Sequence, residues 1–165
     1  MAIFVLLSQV KPYQSVDKDK KQEVELMFDK ISGKYDLLNK VLSLGIDRKW
    51  RKKALSLLLT QNPKFLLDVA TGTGDMVFMA DQVLHPDKIT GIDLSSGMLE
   101  IARKRLSSLE GKTVAQLEFL KGDAENLPFA TGTFDAATVT FGVRNFGDLH
   151  QGLSEMQRVL RPGSP

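Results

Sequence analysis

The sequence predicts an α/β fold built on a doubly wound, mostly parallel sheet, and three observations support this. Short apolar runs of strand character alternate with segments of helical periodicity from residue 63 onward. Strands that alternate with helices form right-handed crossovers, which make the sheet parallel. A glycine-rich turn follows the first run, at the place where doubly wound domains bind nucleotides.

Individual elements follow from apolar spacing and from the turn residues that bound them. Four runs are predicted strands: Phe65–Ala70, Lys88–Ile92, Gln116–Lys121 and Asp135–Phe141. Three segments, which follow the first, second and fourth of these runs, are predicted helices: Asp75–Val83, a helix capped by Ser95 or Ser96, and Leu149–Leu160. The chain ends after this fourth unit, so we expect later strands to be missing and one sheet edge to be unpaired.

A layer of helices is predicted to precede the sheet, over residues 21–62. Apolar residues recur there at steps of three and four, from Val24 to Leu42. A further helix, capped by Asp47, has a predicted apolar face of Trp50, Ala54, Leu57 and Leu58. Residues 1–20 are predicted to be a mobile arm, and 21–165 one domain, with 63–165 as its partial Rossmann-like core.

Composition restricts the classes of function. The 165 residues are 42% hydrophobic and 25% charged, as in soluble domains, and the net charge of +2 does not favour nucleic acid. There is no cysteine, and the two histidines lie in unrelated segments, so we expect no metal site. The apolar run Ile3–Leu7 is too short to span a bilayer and no signal peptide is expected, so we predict a cytoplasmic protein.

The turn after the first predicted strand is the first candidate for ligand binding. Gly72 and Gly74 allow the backbone to approach a ligand closely. Asp93 follows the second strand, roughly 20 residues later, where a carboxylate accepts hydrogen bonds from ribose hydroxyls. The alternatives are an ordinary strand-to-helix turn and a helix N-cap at Asp93.

Two residues favour S-adenosylmethionine over NAD. Val77 stands where a dinucleotide site has its third glycine. Asp75 places a negative charge where a pyrophosphate would need the positive end of a helix. The same charge attracts the sulfonium and ammonium groups of S-adenosylmethionine. An NAD oxidoreductase is therefore the weaker alternative.

The segment after the third predicted strand has groups that match an adenine edge. The Asp123 carboxylate can accept from the exocyclic amine, and the Ala124 N–H can donate to a ring nitrogen. Leu94 and Met98 can lie on either side of the ring. The alternative is a turn with a capping aspartate and a core Phe129.

Three segments resemble the C-methyltransferases of menaquinone and ubiquinone biosynthesis. Two are specific: Tyr35–Asn39 with Leu42–Arg51, and Phe141–Asn145; the third, Arg158–Gly163, is shared by many methyltransferases. The resemblance implies a class I methyltransferase fold, S-adenosylmethionine as cofactor and a polyprenylated hydroquinone as substrate. Whether that ring is demethylmenaquinol or a ubiquinone precursor stays open. One departure is Ala70, where the general methyltransferase pattern has glycine.

The resemblance also implies roles for individual residues. The implied cofactor contacts are Thr73, Asp93, Asp123, Ala124 and Thr140, beside the glycines of the turn. Tyr35, Asn39, Arg144 and Asn145 are expected to face the substrate. Arg144 would stabilise a phenolate, while Tyr35, or a water held by Arg144 or Asn145, would relay the proton.

Other functions stay open at this point. One is a methyltransferase acting on oxygen or nitrogen, and another is a truncated, non-catalytic binding subunit. The basic run Arg48–Lys53, which contains Trp50, is either a solvated helix face or a contact with a membrane surface. A homodimer is also left open.

Overall fold

The computed structural model describes residues 22–32, 46–109 and 111–165. Helix α1 covers residues 22–32, α2 covers Ile46–Ser56, and a 3₁₀ turn follows at Leu59–Gln61. Tyr35 and Asn39, two predicted substrate residues, lie outside the described residues. No helix in the described part of the chain is long and apolar enough to cross a membrane.

Four parallel strands form the sheet. In chain order they are β1 Phe65–Val69, β2 Lys88–Asp93, β3 Gln116–Lys121 and β4 Ala136–Val139. Their order across the sheet is β3-β2-β1-β4, so the connections change direction at β1. The connecting helices are α3 Asp75–Leu84, α4 Ser96–Ser108 and α5 Leu149–Val159, with a 3₁₀ turn at Phe141–Asn145.

Each face of the sheet has its own core, as a parallel sheet requires. Alternate residues of β1 point to opposite faces: Leu66 packs with α2, α3 and α4, while Leu67 and Val69 pack against α5. All three are at most 1% exposed. The predicted doubly wound α/β fold is therefore confirmed, and helices cover both faces of β1.

The fourth strand and its exposed edge differ from prediction. β4 ends at Val139, and Phe141 begins a 3₁₀ turn that redirects the chain above the strand ends. The expected unpaired edge of β4 is partly paired, because the Ala137 N–H donates to the Pro165 carbonyl at 3.1 Å.

Of the four residues predicted as the apolar face of α2, Leu58 is buried, and the prediction is wrong for the other three. Trp50 is 60% and Leu57 71% exposed, and Ala54 is exposed as well. The buried positions are Leu55 and Leu58, which lie one and two turns beyond Arg51 on the same stripe. Arg51 thus lies on the inward face of the helix, whereas apolar spacing alone predicts that it lies on the outward face.

Candidate cofactor site

A pocket opens at the carboxyl ends of the four strands, where doubly wound domains bind ligands. It encloses about 970 Å³, including space open to solvent. Predicted site residues line it as follows: Gly72, Thr73, Asp93, Asp123, Ala124, Thr140, Arg144 and Asn145. Gly74 is predicted to bind the cofactor but does not line the pocket. Gly74 is instead the N-cap of α3, where its positive φ of 84° allows the chain to enter the helix.

The turn after β1 is left-handed at three positions. Ala70, Gly72 and Gly74 have φ of 53°, 58° and 84°. Left-handed backbone costs a residue with a Cβ about 1–2 kcal/mol, so Ala70 is strained where glycine would not be. Its methyl group has room because residue 142 is glycine: a Cβ on Gly142 would lie 2.2 Å from that of Ala70.

Below the turn lies a buried carboxylate, Asp68, only 1% exposed. Its two oxygens accept hydrogen bonds from the hydroxyls of Thr71 and Thr138, both at 2.7 Å. Burial raises the pKa of Asp68 from 3.8 to about 6, against the opposing effect of these hydrogen bonds and of the nearby Arg51 cation. Asp68 therefore links the turn to β4 through hydrogen bonds. These bonds and the Arg51 cation partly compensate its charge.

Asp93, at the end of β2, holds the turn from the other side. Its Oδ2 accepts from the Gly72 N–H and its Oδ1 from the Ser95 N–H, both at 2.8 Å. The alternative of an N-cap at Asp93 is wrong, because the Ser95 side chain caps α4 by accepting from Met98. Burial raises the pKa of Asp93 above its ordinary value, although the backbone N–H groups oppose this. The Leu94 N–H also acts on this carboxylate, so part of its acceptor capacity remains for a ligand in the pocket.

The loop after β3, which is predicted to face adenine, is held by several hydrogen bonds. The Asp123 Oδ1 accepts from the Glu125 N–H at 2.9 Å. The Leu127 N–H donates to Glu155 at 2.8 Å, and Arg158 of α5 donates to the Leu127 carbonyl at 3.0 Å. Ala124, Leu94 and Met98 also line the pocket here, and their contact with an adenine ring stays a prediction. The loop is thus held in place from α5 before any ligand binds.

Helix α1 closes the same side of the pocket. The Asp29 carboxylate accepts from the Gly97 N–H at 2.9 Å and from the Ser95 hydroxyl at 2.5 Å. Glu25 pairs with Lys121 at 2.6 Å. The apolar stripe of α1 was predicted, but this role of Asp29 was not. Nothing in its spacing distinguishes it from a solvated residue.

The charge argument made for Asp75 is wrong in this fold. The Asp75 carboxylate is paired with Arg105 at 2.8 Å and with Arg51 at 3.2 Å. Arg105 also donates to the Thr73 carbonyl at 2.8 Å. With two cations beside it, Asp75 does not present an unpaired negative charge, so it neither repels a phosphate nor selects a cationic ligand by itself.

The segment after β4 supplies the far end of the pocket. Thr140, Arg144 and Asn145 line it, and Arg144 is exposed. Arg144 is therefore a cation with exposed donors at the pocket.

Comparison with known proteins agrees with this geometry. Two relatives are demethylmenaquinone methyltransferases. The one from Bacteroides fragilis is 47% identical over 94% of this chain and 62% of its own length. The one from Thermotoga maritima is 51% identical over 87% and 59%. The chain thus spans about three fifths of the length of these relatives.

A solved structure shares the fold. It is an S-adenosylmethionine-dependent methyltransferase of Thermotoga maritima, described as a possible histamine N-methyltransferase. It aligns with this chain with a TM-score of 0.64 and 26% sequence identity. The alignment covers 85% of this chain and 58% of that one. Fold and pocket together define a Rossmann-like domain of the class I methyltransferases, whose cofactor is S-adenosylmethionine.

The particular group follows from the sequence. This chain belongs to the ubiE/COQ5 methyltransferase family, whose model matches residues 15–165. The resemblance inferred from the Phe141–Asn145 and N-terminal segments is confirmed at the level of the family.

Proposed function

We propose that this chain belongs to a C-methyltransferase that transfers a methyl group from S-adenosylmethionine to the ring of a polyprenylated naphthoquinol, demethylmenaquinol. The observation that carries the proposal is the pocket in which Gly72, Asp93 and Asp123 converge on one ligand-sized space. The names of the relatives at 47% and 51% identity favour the naphthoquinol ring over a benzoquinol.

The residues present fit an adenosyl group. Gly72, with φ of 58°, has no atom within 4 Å of the place where a Cβ would lie, so the backbone there is open to a ligand. The Asp93 carboxylate suits a ribose diol, and Asp123 with the Ala124 N–H suits an adenine edge. When bound, S-adenosylmethionine supplies an activated methyl group on a positively charged sulfur.

The protein's own contribution is alignment and charge stabilisation. Ionisation of a ring hydroxyl makes the adjacent carbon nucleophilic, and the Arg144 guanidinium stabilises the resulting phenolate. Arginine does not accept the proton, because it stays protonated in proteins. A water molecule held by Arg144 or Asn145, or the Tyr35 hydroxyl, relays the proton of the ring hydroxyl toward solvent. The ring carbon that accepts the methyl group then loses its own proton by the same route, which restores the aromatic ring.

A direct assay tests this proposal. The chain is incubated with labelled S-adenosylmethionine and either a short-chain demethylmenaquinol or the corresponding benzoquinol precursor. We expect methyl incorporation into the naphthoquinol. Turnover of the benzoquinol alone would contradict the substrate proposed. Cofactor binding without turnover of either quinol would instead indicate a non-catalytic binding subunit.

The outer face of α2 supports a membrane contact as part of the same proposal. Ile46, Trp50 and Leu57 are 47%, 60% and 71% exposed, and the basic residues Arg48, Lys49, Lys52 and Lys53 surround them, also exposed. An exposed tryptophan within a basic helix matches an anionic bilayer surface, where a polyprenyl substrate resides.

Vesicle flotation tests the membrane contact. We expect the chain to float with vesicles containing anionic lipid and not with neutral ones, and Trp50→Ala to reduce the bound fraction. Leu153→Ala is the matched control, since Leu153 is 46% exposed on α5. Equal flotation of the two variants would contradict a role for α2. The cytoplasmic location and the homodimer stay predictions.

A further inference from the structure

Arg51 is a largely buried cation, and no sequence pattern assigned it a role in the site. Its side chain is only 11% exposed although α2 is otherwise strongly charged, and it lines the pocket together with residues of the glycine turn. The guanidinium carbon lies 5.9 Å from the centre of the Phe141 ring. Arg51 therefore stands between the turn after β1 and the segment after β4.

Two of its three guanidinium nitrogens, Nε and Nη2, donate to none of the described residues. Nη1 donates to Asp47 at 2.7 Å and to Asp75 at 3.2 Å. Nε is buried and has no hydrogen-bond partner. No other buried side-chain nitrogen or oxygen of the described residues lacks one. A buried donor without a partner is costly, and native proteins rarely keep one unless a ligand or water satisfies it. The donors on Nε and Nη2 form the fork that matches a carboxylate.

The order of the strands indicates which part of a ligand reaches this fork. Asp123 follows β3 and Asp93 follows β2, so the adenine and ribose positions lie at that end of the sheet. The glycine turn follows β1 and Thr140 follows β4. An adenosyl ligand whose base lies at β3 and whose ribose lies at β2 extends its remaining part toward β1 and β4. Arg51 lies at that end.

We infer that Arg51 binds the amino-acid carboxylate of S-adenosylmethionine through its Nε and Nη2 donors. The inference rests on the proposed function, because it needs an adenosyl ligand in the pocket. Asp47 and Asp75 hold the guanidinium in position, and the ring of Phe141 supports its face. The N-terminal helical layer is thereby a part of the cofactor site.

Paired ligands test the inference by binding alone. Calorimetry with the full chain compares S-adenosylmethionine with its decarboxylated analogue, which differs only in the carboxylate. We expect the wild type to prefer the carboxylated compound by roughly ten- to hundredfold, the range for a charge-assisted bidentate contact. In Arg51→Gln this preference is expected to fall to less than about threefold, while affinity for the analogue changes little.

Controls separate this inference from the proposed function. Arg48→Gln, an exposed arginine on the same helix, should keep the full preference. Arg51→Lys keeps the charge but loses the fork, so an intermediate preference is expected even if Arg51→Gln does not fold. An undiminished preference in the Arg51 variants would overturn the inference and leave the proposed function standing. A wild type that binds neither compound would overturn both.

Discussion

The two ends of the pocket are built from different kinds of contact. At the β2 and β3 end, Asp93 and Asp123 accept from backbone N–H groups, those of Gly72 and Glu125 among them. Helices α1 and α5 hold the loops after β2 and β3. At the β1 and β4 end, two arginines line the pocket: Arg51, whose Nε has no partner among the described residues, and the exposed Arg144. One end is preorganised by backbone, which suits binding, while the other presents charge, which suits an ionising substrate.

The largest expected effect lies at the charged end. Arg144→Ala should lower kcat by roughly 10²–10³-fold, because one fixed donor to a developing oxyanion is lost. Cofactor affinity should change by less than about threefold. Steady-state kinetics and calorimetry on one preparation measure both, and Lys104→Ala, an exposed cation on α4, is the control. Equal losses of turnover and affinity would remove the distinction between the two ends.

The buried carboxylate beneath the turn should make stability depend on pH. The pKa of Asp68 is raised from 3.8 to about 6 in the folded state, so folding favours its protonated form. Relative to Asp68→Asn, the wild type should lose up to about 3 kcal/mol of unfolding free energy as pH rises from 4 to 7. Urea titrations of both proteins at several pH values measure this loss. If the free energy of unfolding changes equally with pH in the two proteins, the prediction for Asp68 is wrong.

Asp93 tests the preorganised end. Asp93→Ala should weaken binding of S-adenosylmethionine roughly hundredfold, since two ribose contacts and the tie to Gly72 are lost together. Isothermal titration measures the change. The turnover of saturated enzyme should fall much less than in Arg144→Ala, and a variant with wild-type affinity would exclude Asp93 from the site.

The smallest expected effect concerns the junction between the two ends. Gly142→Ala should lower the free energy of unfolding by about 2 kcal/mol, because the new methyl group would overlap that of Ala70. Combining it with Ala70→Gly should restore most of the loss and relieve the left-handed strain. Thermal unfolding of the single and double variants gives the coupling energy, and additive losses would contradict direct contact.

Much of this architecture was predictable from local sequence. β3 has the predicted ends, and β1 and β2 each differ from prediction by one residue, because short apolar runs between turn residues mark buried strands. The residues that follow each strand were also predictable, since parallel strands bring their carboxyl ends together. Asp93 and Asp123 are found in the pocket for this reason.

Other features depend on partners distant in sequence. In the sequence, Asp75 is an isolated charge. In the structure Arg105, thirty residues later, lies beside it. The sequence suggests that Arg51 is one cation of a solvated run, because apolar spacing cannot show that an inward arginine forms ion pairs with Asp47 and Asp75. Asp29 caps α4 across 68 residues of chain. Such ion pairs and caps have no local periodicity, so sequence analysis assigned these residues to the surface or overlooked them.

By itself, the sequence determined the parallel α/β fold, the glycine turn and the acids after β2 and β3, because each follows from periodicity or from position after a strand. Only the tertiary structure decided which cations enter the pocket and how the turn is held. Charge pairs depend on distances between segments, and a buried charge is tolerated only where the fold supplies its partners.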